Sequence, residues 1–212
     1  MKPLPDKTIE RLSMYRRNLI HWQRQGREFI YSHELAASLH ITPVQVRRDI
    51  MLIGHTGTLR KGYDVKELIG LIGSIIDSEE GRRVAVIGIG NLGRAIISYF
   101  NGKRSKLKIV AAFDSDPEKT GKLFAGVKTW PMTQLEEIIK KEKITMGVIV
   151  VPADRAEAVA ERLVNAGITG ILNYTPRSLN VPSHVYLDEY DMITSIEKVA
   201  YHSKMNQSFV SS

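Results

Sequence analysis

The stretch from Val84 to Asp114 constrains this 212-residue chain more than any other. It opens on Val84-Ala85-Val86-Ile87, an apolar run that reads as a buried strand. Gly88-Ile89-Gly90-Asn91-Leu92-Gly93 follows, then Ala95-Ile96-Ile97-Ser98-Tyr99-Phe100 at helical spacing, then Ile109-Val110-Ala111-Ala112-Phe113-Asp114. A Gly-x-Gly-x-x-Gly run alone is weak evidence. Between a strand and a helix, with an acidic residue closing the next strand, it marks a dinucleotide site.

The chemistry assigns each residue a part. Gly88 permits the tight turn, Gly90 lets backbone approach a pyrophosphate, and Gly93 lets the helix pack close to the strand. Ile89, Asn91 and Leu92 complete the cofactor-binding loop, and the unpaired N–H groups at the helix start face the diphosphate, whose charge the helix dipole favours. Asp114 accepts hydrogen bonds from ribose hydroxyls and repels a 2′-phosphate. The residue after it is Ser115 rather than an arginine, so the pattern predicts NADH and NAD+ rather than their phosphorylated counterparts.

Composition sets outer limits. There is no apolar run near the roughly 18 residues that span a bilayer, and no signal-peptide core at the start, so no membrane partner is expected. The chain has no cysteine, which removes disulfides and thiolate metal sites and fits a cytoplasmic location. Its six histidines lack ligand spacing, so no metal is expected. The net charge of +7 is uneven: residues 1–66 carry 12 Lys and Arg against 6 Asp and Glu, leaving an excess of one elsewhere. A basic first third points to a polyanion or, more blandly, to a solvated cationic face.

That first third reads as three helices and a wing. Residues 8–25 form an amphipathic helix with Ile9, Leu12, Leu19, Ile20 and Trp22 as its apolar stripe and Gly26 as its stop. A second helix starts at an N-cap Ser32, with Glu34 in its first turn. The third has Thr42 as N-cap, Pro43 at its first position and Gln45 completing a capping box. Val46, Ile50 and Ile53 share its inner face, while Gln45, Arg48 and Met51 lie roughly opposite and Arg47 at the flank. The glycine-bounded basic segment Gly57–Tyr63 fits a hairpin wing. Together these predict a winged helix-turn-helix whose third helix enters the major groove. Thr42, Gln45, Arg47 and Arg48 on the helix, with Arg60 and Lys61 in the wing, would meet bases and phosphates.

Three segments follow from this reading: a DNA-binding domain over 1–78, whose connecting helix runs 64–78; a dinucleotide domain over 79–190; and a helical tail over 191–212. In the middle segment, Thr133 with Glu136 and Asp154 with Glu157 read as capping boxes. Gly147–Pro152 and Ile171–Asn173 read as further strands, and 185–187 as a last one. The alternation predicts a doubly wound parallel sheet, with Val151, Pro152, Asn173 and Tyr174 at strand ends where such sheets take ligands. The tail, with Ile193, Ile196 and Val199 apolar, either crosses to a partner subunit or docks on its own domain.

Several motifs in order resemble one family. They are Gln45-Val46-Arg47-Arg48-Asp49, the segment Gly54 to Tyr63, the phosphate loop, Phe113-Asp114-Ser115-Asp116-Pro117-Glu118-Lys119, and Gly170-Ile171-Leu172-Asn173-Tyr174-Thr175-Pro176. Over about residues 8–205 the chain resembles the Rex redox-sensing transcriptional repressors. The resemblance implies a homodimer with swapped C-terminal helices that binds operator DNA. NADH would close the dimer and release the DNA, and NAD+ would compete while permitting DNA binding. It also implies a switch network at Arg17, next to Arg16, with Tyr99 and Asp191. The family's wing usually reads Gly-x-Arg-Gly-x-Gly-Tyr, whereas Leu59 replaces that arginine here, and Ile53 stands where the family usually has Phe.

Two other classes use parts of the same pattern. A regulator answering to CoA or another nucleotide would use the same sheet. A dehydrogenase would draw on Tyr99-x-x-x-Lys103, but that pair belongs on a later helix, and no chain is left for a substrate domain. Ser183, His184 and Asp188 share a loop without a nucleophile elbow.

Overall fold

The computed structural model describes residues 3–57, 61–100 and 106–210, with side chains of the last helix described to residue 205. The chain divides into two compact units at Glu80/Gly81.

In the first unit, α1 spans Asp6–Arg24, α2 Ser32–Ala37, α3 Pro43–Leu52 and α4 Val65–Ile76. Strands β1 (Phe29–Ile30) and β2 (Tyr63–Asp64) pair antiparallel. Leu12, Tyr15 and Leu19 of α1 meet Leu35 of α2, Val46 and Ile50 of α3, and Leu68 and Ile72 of α4 in one fully buried core. Each such side chain stabilises the unit by roughly 1.5–3 kcal/mol relative to exposure. The inner stripe of α1 runs through Thr8, Leu12, Tyr15 and Leu19, whereas Ile9, expected inside, is 41% exposed.

Local chemistry explains the helix ends. Gly26 takes φ +81 and stops α1. Tyr31 rather than Ser32 stands at the N-cap of α2, and its N–H donates to Glu34 Oε2 at 2.8 Å. The Thr42 hydroxyl accepts from the Gln45 N–H at 3.2 Å, but the reciprocal half of that capping box does not form. The Gln45 amide instead donates to Asp49 Oδ1 at 2.9 Å. Asp64 caps α4 by accepting from the Glu67 N–H at 2.8 Å. β2 pairs with β1, which precedes α2. At the ends of the expected wing a Cβ on Gly57 would lie 2.9 Å from the Gly62 carbonyl oxygen, and the turn of that wing, residues 58–60, lies outside the described residues. Arg60 and Leu59 lie outside the described residues.

The second unit runs β3 (Arg82–Ile87), α5 (Asn91–Phe100), β4 (Leu107–Asp114), β5 (Leu123–Phe124), β6 (Val127–Pro131), α6 (Leu135–Lys141), β7 (Met146–Ile149), α7 (Ala156–Asn165), β8 (Gly170–Asn173), β9 (Tyr186–Glu189) and α8 (Met192–Val210). The seven strands lie in the order β5-β6-β4-β3-β7-β8-β9, and every pair is parallel except β5 with β6. The doubly wound sheet is therefore as expected, with β5 and β6 added at one edge. Alternate residues of β3 explain why both faces are apolar. Val84 and Val86 pack with Ile97 of α5, while Ala85 and Ile87 pack with Leu135 of α6 and Leu163 of α7.

Neither expected capping box in this unit forms. Short 3₁₀ turns, Met132–Gln134 and Ala153–Arg155, lead into α6 and α7 with no side-chain cap. Glu136 is occupied by Arg162 and Glu157 by Arg177. The apolar residues of α8 are uncovered by any described part of this chain: Ile193, Ile196 and Val199 are 61%, 63% and 67% exposed. Among the described residues no helix is long and apolar enough to cross a membrane.

Candidate nucleotide site and DNA-reading face

The chain order reverses direction across the sheet at β3, with β4 on one side and β7 on the other. Ligands bind such sheets at that reversal, beyond the carboxyl ends of the strands. The loop leaving β3 there is built from its three glycines. Gly88 has φ +101, and a Cβ on it would lie 2.5 Å from the Val150 carbonyl oxygen. A Cβ on Gly93 would lie 2.0 Å from the Gly88 carbonyl oxygen, so only glycine lets α5 start this close to β3. Around Gly90 nothing lies within 4 Å of such an atom. The first and third glycines are demanded by the protein itself. The second leaves room for something else.

Beyond this loop lies a cleft of about 600 Å³, of ordinary size for a small-molecule site. Gly88, Gly90, Asp114, Val151 and Pro152, all expected from sequence, line it together. The buried Asp114 carboxylate is anchored by two backbone groups: Oδ2 accepts from the Ile89 N–H at 2.7 Å and Oδ1 from the Asp116 N–H at 2.9 Å. Carboxylate oxygens carry about four acceptor positions, so lone pairs remain for ribose hydroxyls.

Other expected residues stand apart from the cleft lining. Gly93 is buried beneath the loop, Ile89 is buried, and Asn91 and Leu92 are exposed at the start of α5. Asn173 is fully buried, and its amide is committed internally: Oδ1 accepts from the Thr175 N–H and hydroxyl, while Nδ2 donates to the Arg177 carbonyl and Glu189. It shapes the turn after β8. Tyr174 packs against Tyr190 with ring centroids 5.3 Å apart and planes tilted by 60°, and burial, with Tyr190 and Asp188 nearby, raises its phenol above the ordinary value.

The cleft also holds residues that sequence reasoning did not place in the site. Lys119 Nζ lies 3.5 Å from Asp114 Oδ2 and 3.3 Å from Asp116 Oδ2. Two carboxylates to one ammonium leave this corner anionic, which favours a free ribose over a 2′-phosphate. Arg162 forks onto Glu136 at 2.7 and 2.8 Å and onto the Met132 carbonyl at 2.7 Å, fixing the turn that closes the far side. The Asp-x-Asp-Pro-x-Lys spacing was the one available hint for Lys119. For Arg162, 26 residues from Glu136, there was none.

In the first unit, α3 presents a cationic face. Arg47 and Arg48 are exposed, and Arg47 Nη1 donates to Ser32 Oγ at 3.1 Å. Thr42 is exposed with its hydroxyl used as the cap, and Gln45 is half-buried and turned to Asp49. Lys61 sits over the Phe29 ring, 5.4 Å from its centroid. Behind the face is a network that sequence reasoning missed. Asp49, fully buried, accepts from Arg11 Nε at 2.6 Å, Arg11 Nη2 at 2.8 Å and the Tyr15 hydroxyl at 2.7 Å. Burial pushes the Asp49 carboxyl up, but the bonds from Arg11, Tyr15 and Gln45 outweigh it and hold it below the usual carboxylate range.

Of the residues expected in a switch network, Arg17 is exposed on α1 and Tyr99 is 69% exposed near the end of α5. Asp191 caps α8, accepting from the Ile193 N–H at 2.8 Å and the Thr194 hydroxyl at 2.6 Å. Arg16, the neighbour of Arg17, is buried and paired with Asp77 at 2.7 Å.

Comparison with known proteins decides the family. A redox-sensing transcriptional repressor Rex from Desulfitobacterium hafniense is 37% identical over 199 residues, covering 94% of this chain and 95% of that relative. One from Anoxybacillus flavithermus is 36% identical over 201 residues, covering 95% and 94%. The chain belongs to the Rex family. A solved Rex-family repressor, RSP, is similar over the whole chain. Its complex with β-NAD+ and operator DNA gives a TM-score of 0.88 at 30% identity, covering 100% of this chain and 97% of that one. Its complex with β-NADH gives 0.85 at 29%, covering 100% and 99%. Family models match each unit: a putative DNA-binding protein N-terminus over residues 3–50 and a CoA binding domain over 79–177. The Rex family is thus a winged-helix unit joined to a Rossmann-like unit, the fold class expected from sequence.

Proposed function

We propose that this chain is a cytoplasmic repressor that binds operator DNA as a homodimer and releases it when NADH occupies the cleft beside Gly90. NAD+ competes for the same cleft and leaves DNA binding intact. One observation carries the reading: open space at Gly90 stands beside an anchored, buried Asp114, in a chain whose other unit exposes Arg47 and Arg48 on a short helix. The loop N–H groups and the start of α5 would hold the pyrophosphate, and Asp114 the ribose. The solved RSP complexes with β-NADH, and with β-NAD+ and operator DNA, support the same ligands here.

The apolar residues exposed on α8 support a partner subunit as what covers them. Arg17, Tyr99 and Asp191 would then link nucleotide occupancy to the DNA-reading units across the dimer. NADH shifts the balance only by its differential affinity for the two dimer geometries, and moving a population from 99:1 to 1:99 takes about 5.5 kcal/mol. The chain is a regulator and not a dehydrogenase on this reading: its relatives across nearly its whole length are Rex repressors, and Tyr99, which a dehydrogenase would draw on, is 69% exposed. Lys103 lies outside the described residues.

The CoA binding match over 79–177 makes CoA the competitor to exclude. A gel shift with a palindromic operator-like duplex at constant ionic strength, titrated with NADH, NAD+ and CoA, tests the reading. Release by NADH alone is expected, and Asp114→Ala is expected to keep the duplex while losing the NADH response. Release by CoA, or an NADH response undiminished in Asp114→Ala, would overturn it.

A further inference from the structure

Val44, Arg47, Arg48 and Met51 lie at spacings of three, four and seven along α3 and form one exposed stripe. Two of the four are apolar: Val44 is 47% exposed and Met51 65%. Val44 stands in the first turn of α3, directly after Pro43, one turn before Arg48. No hydrogen bond or ion pair holds Arg48 among the described residues, whereas Arg47 is tied to Ser32. Gln45, the polar residue of that first turn, is turned inward to Asp49. The leading end of the stripe therefore offers a branched apolar side chain next to an unengaged guanidinium.

A DNA major groove has one apolar group on its base edges, the C5-methyl of thymine. Helices of this class read bases with their N-terminal residues. A valine there makes no hydrogen bond to any base, and water is displaced from it with gain only by another apolar surface. We infer that Val44 is a specificity-determining residue that packs against a thymine methyl in the half-site, beside the base pair met by Arg48. The cationic neighbours select DNA as the occupant of this stripe over an apolar protein partner, and the inference rests on the operator-binding reading above.

The test begins by enriching duplexes with random cores on the full-length protein at fixed salt. The best duplex is then remade with deoxyuridine replacing each thymidine in turn, which removes only the methyl group. One position in each half-site is expected to weaken wild-type binding about fourfold, the value of one buried methyl-sized group. Val44→Ser, at an exposed position, is expected to bind the parent duplex weaker by a similar factor and to ignore deoxyuridine at that position. Wild-type binding unaffected by deoxyuridine anywhere, or Val44→Ser retaining the wild-type sensitivity, overturns the inference. If no duplex is enriched at all, the operator-binding reading falls first and takes this inference with it.

Discussion

Gly93 sits so close to Gly88 that a methyl group on it would lie 2.0 Å from the Gly88 carbonyl oxygen. That contact is backbone against backbone, so no side-chain rotation relieves it. It separates two glycines that look equivalent in sequence, because nothing lies within 4 Å of the corresponding position on Gly90.

Alanine at these positions should therefore fail in different ways. Gly93→Ala forces α5 from β3 and is expected to destabilise the chain by about 1–3 kcal/mol, the usual range for overpacking. Gly90→Ala is expected to leave thermal unfolding unchanged within about 0.5 kcal/mol while weakening NADH at least tenfold, because the methyl fills space meant for the ligand. Thermal melts and a fluorescence titration with NADH separate the two. Equal losses of stability would contradict the assignment of Gly90 to ligand approach.

Asp49 contributes to the pH dependence of the DNA-binding unit. Its carboxyl is held below the ordinary range in the folded state, so on acidification the unfolded chain takes up this proton first. The stabilisation it gives is complete above the ordinary carboxylate value of about 3.9 and is lost as pH falls through its lower folded value. Asp49→Ala leaves Arg11 and the Tyr15 hydroxyl without their acceptor and should cost about 3 kcal/mol near neutral pH. Urea unfolding at pH 7 and below pH 4 should show that difference shrinking in acid. A gap independent of pH would contradict the ionic role.

Arg48 is the cation of α3 that no neighbouring group engages among the described residues. Arg48→Ala should weaken specific duplex binding by about 1–3 kcal/mol if the side chain meets a base edge. A contact to phosphate instead predicts a uniform loss across sequences and a salt slope shallower by about one. Binding isotherms at several salt concentrations distinguish these. Unchanged affinity would move recognition away from this helix.

The parts legible in the sequence were those fixed by local chemistry. The glycine spacing, the Thr42-Pro43 helix start and the alternation of apolar runs each depend on neighbours within a few residues. What was missed depends on distance. β5 and β6 carry only two and five residues and exist through pairing with the sheet edge. Gln45 reads as a capping and DNA-facing residue until Asp49 takes its amide. Thr133 and Asp154 start no capping box, because Arg162 and Arg177 arrive from other elements to claim Glu136 and Glu157. Asn173 sits where a ligand residue was expected, but its polar atoms bind the chain's own turn.

NADH binding and operator binding are coupled on this reading, and coupling is reciprocal. The most direct measurement is the dissociation constant of NADH for the full-length protein, taken with and without a saturating operator duplex at one ionic strength. The duplex is expected to weaken NADH by the same factor by which NADH weakens the duplex, and NAD+ to show little of either effect. An NADH affinity indifferent to the duplex would contradict that coupling.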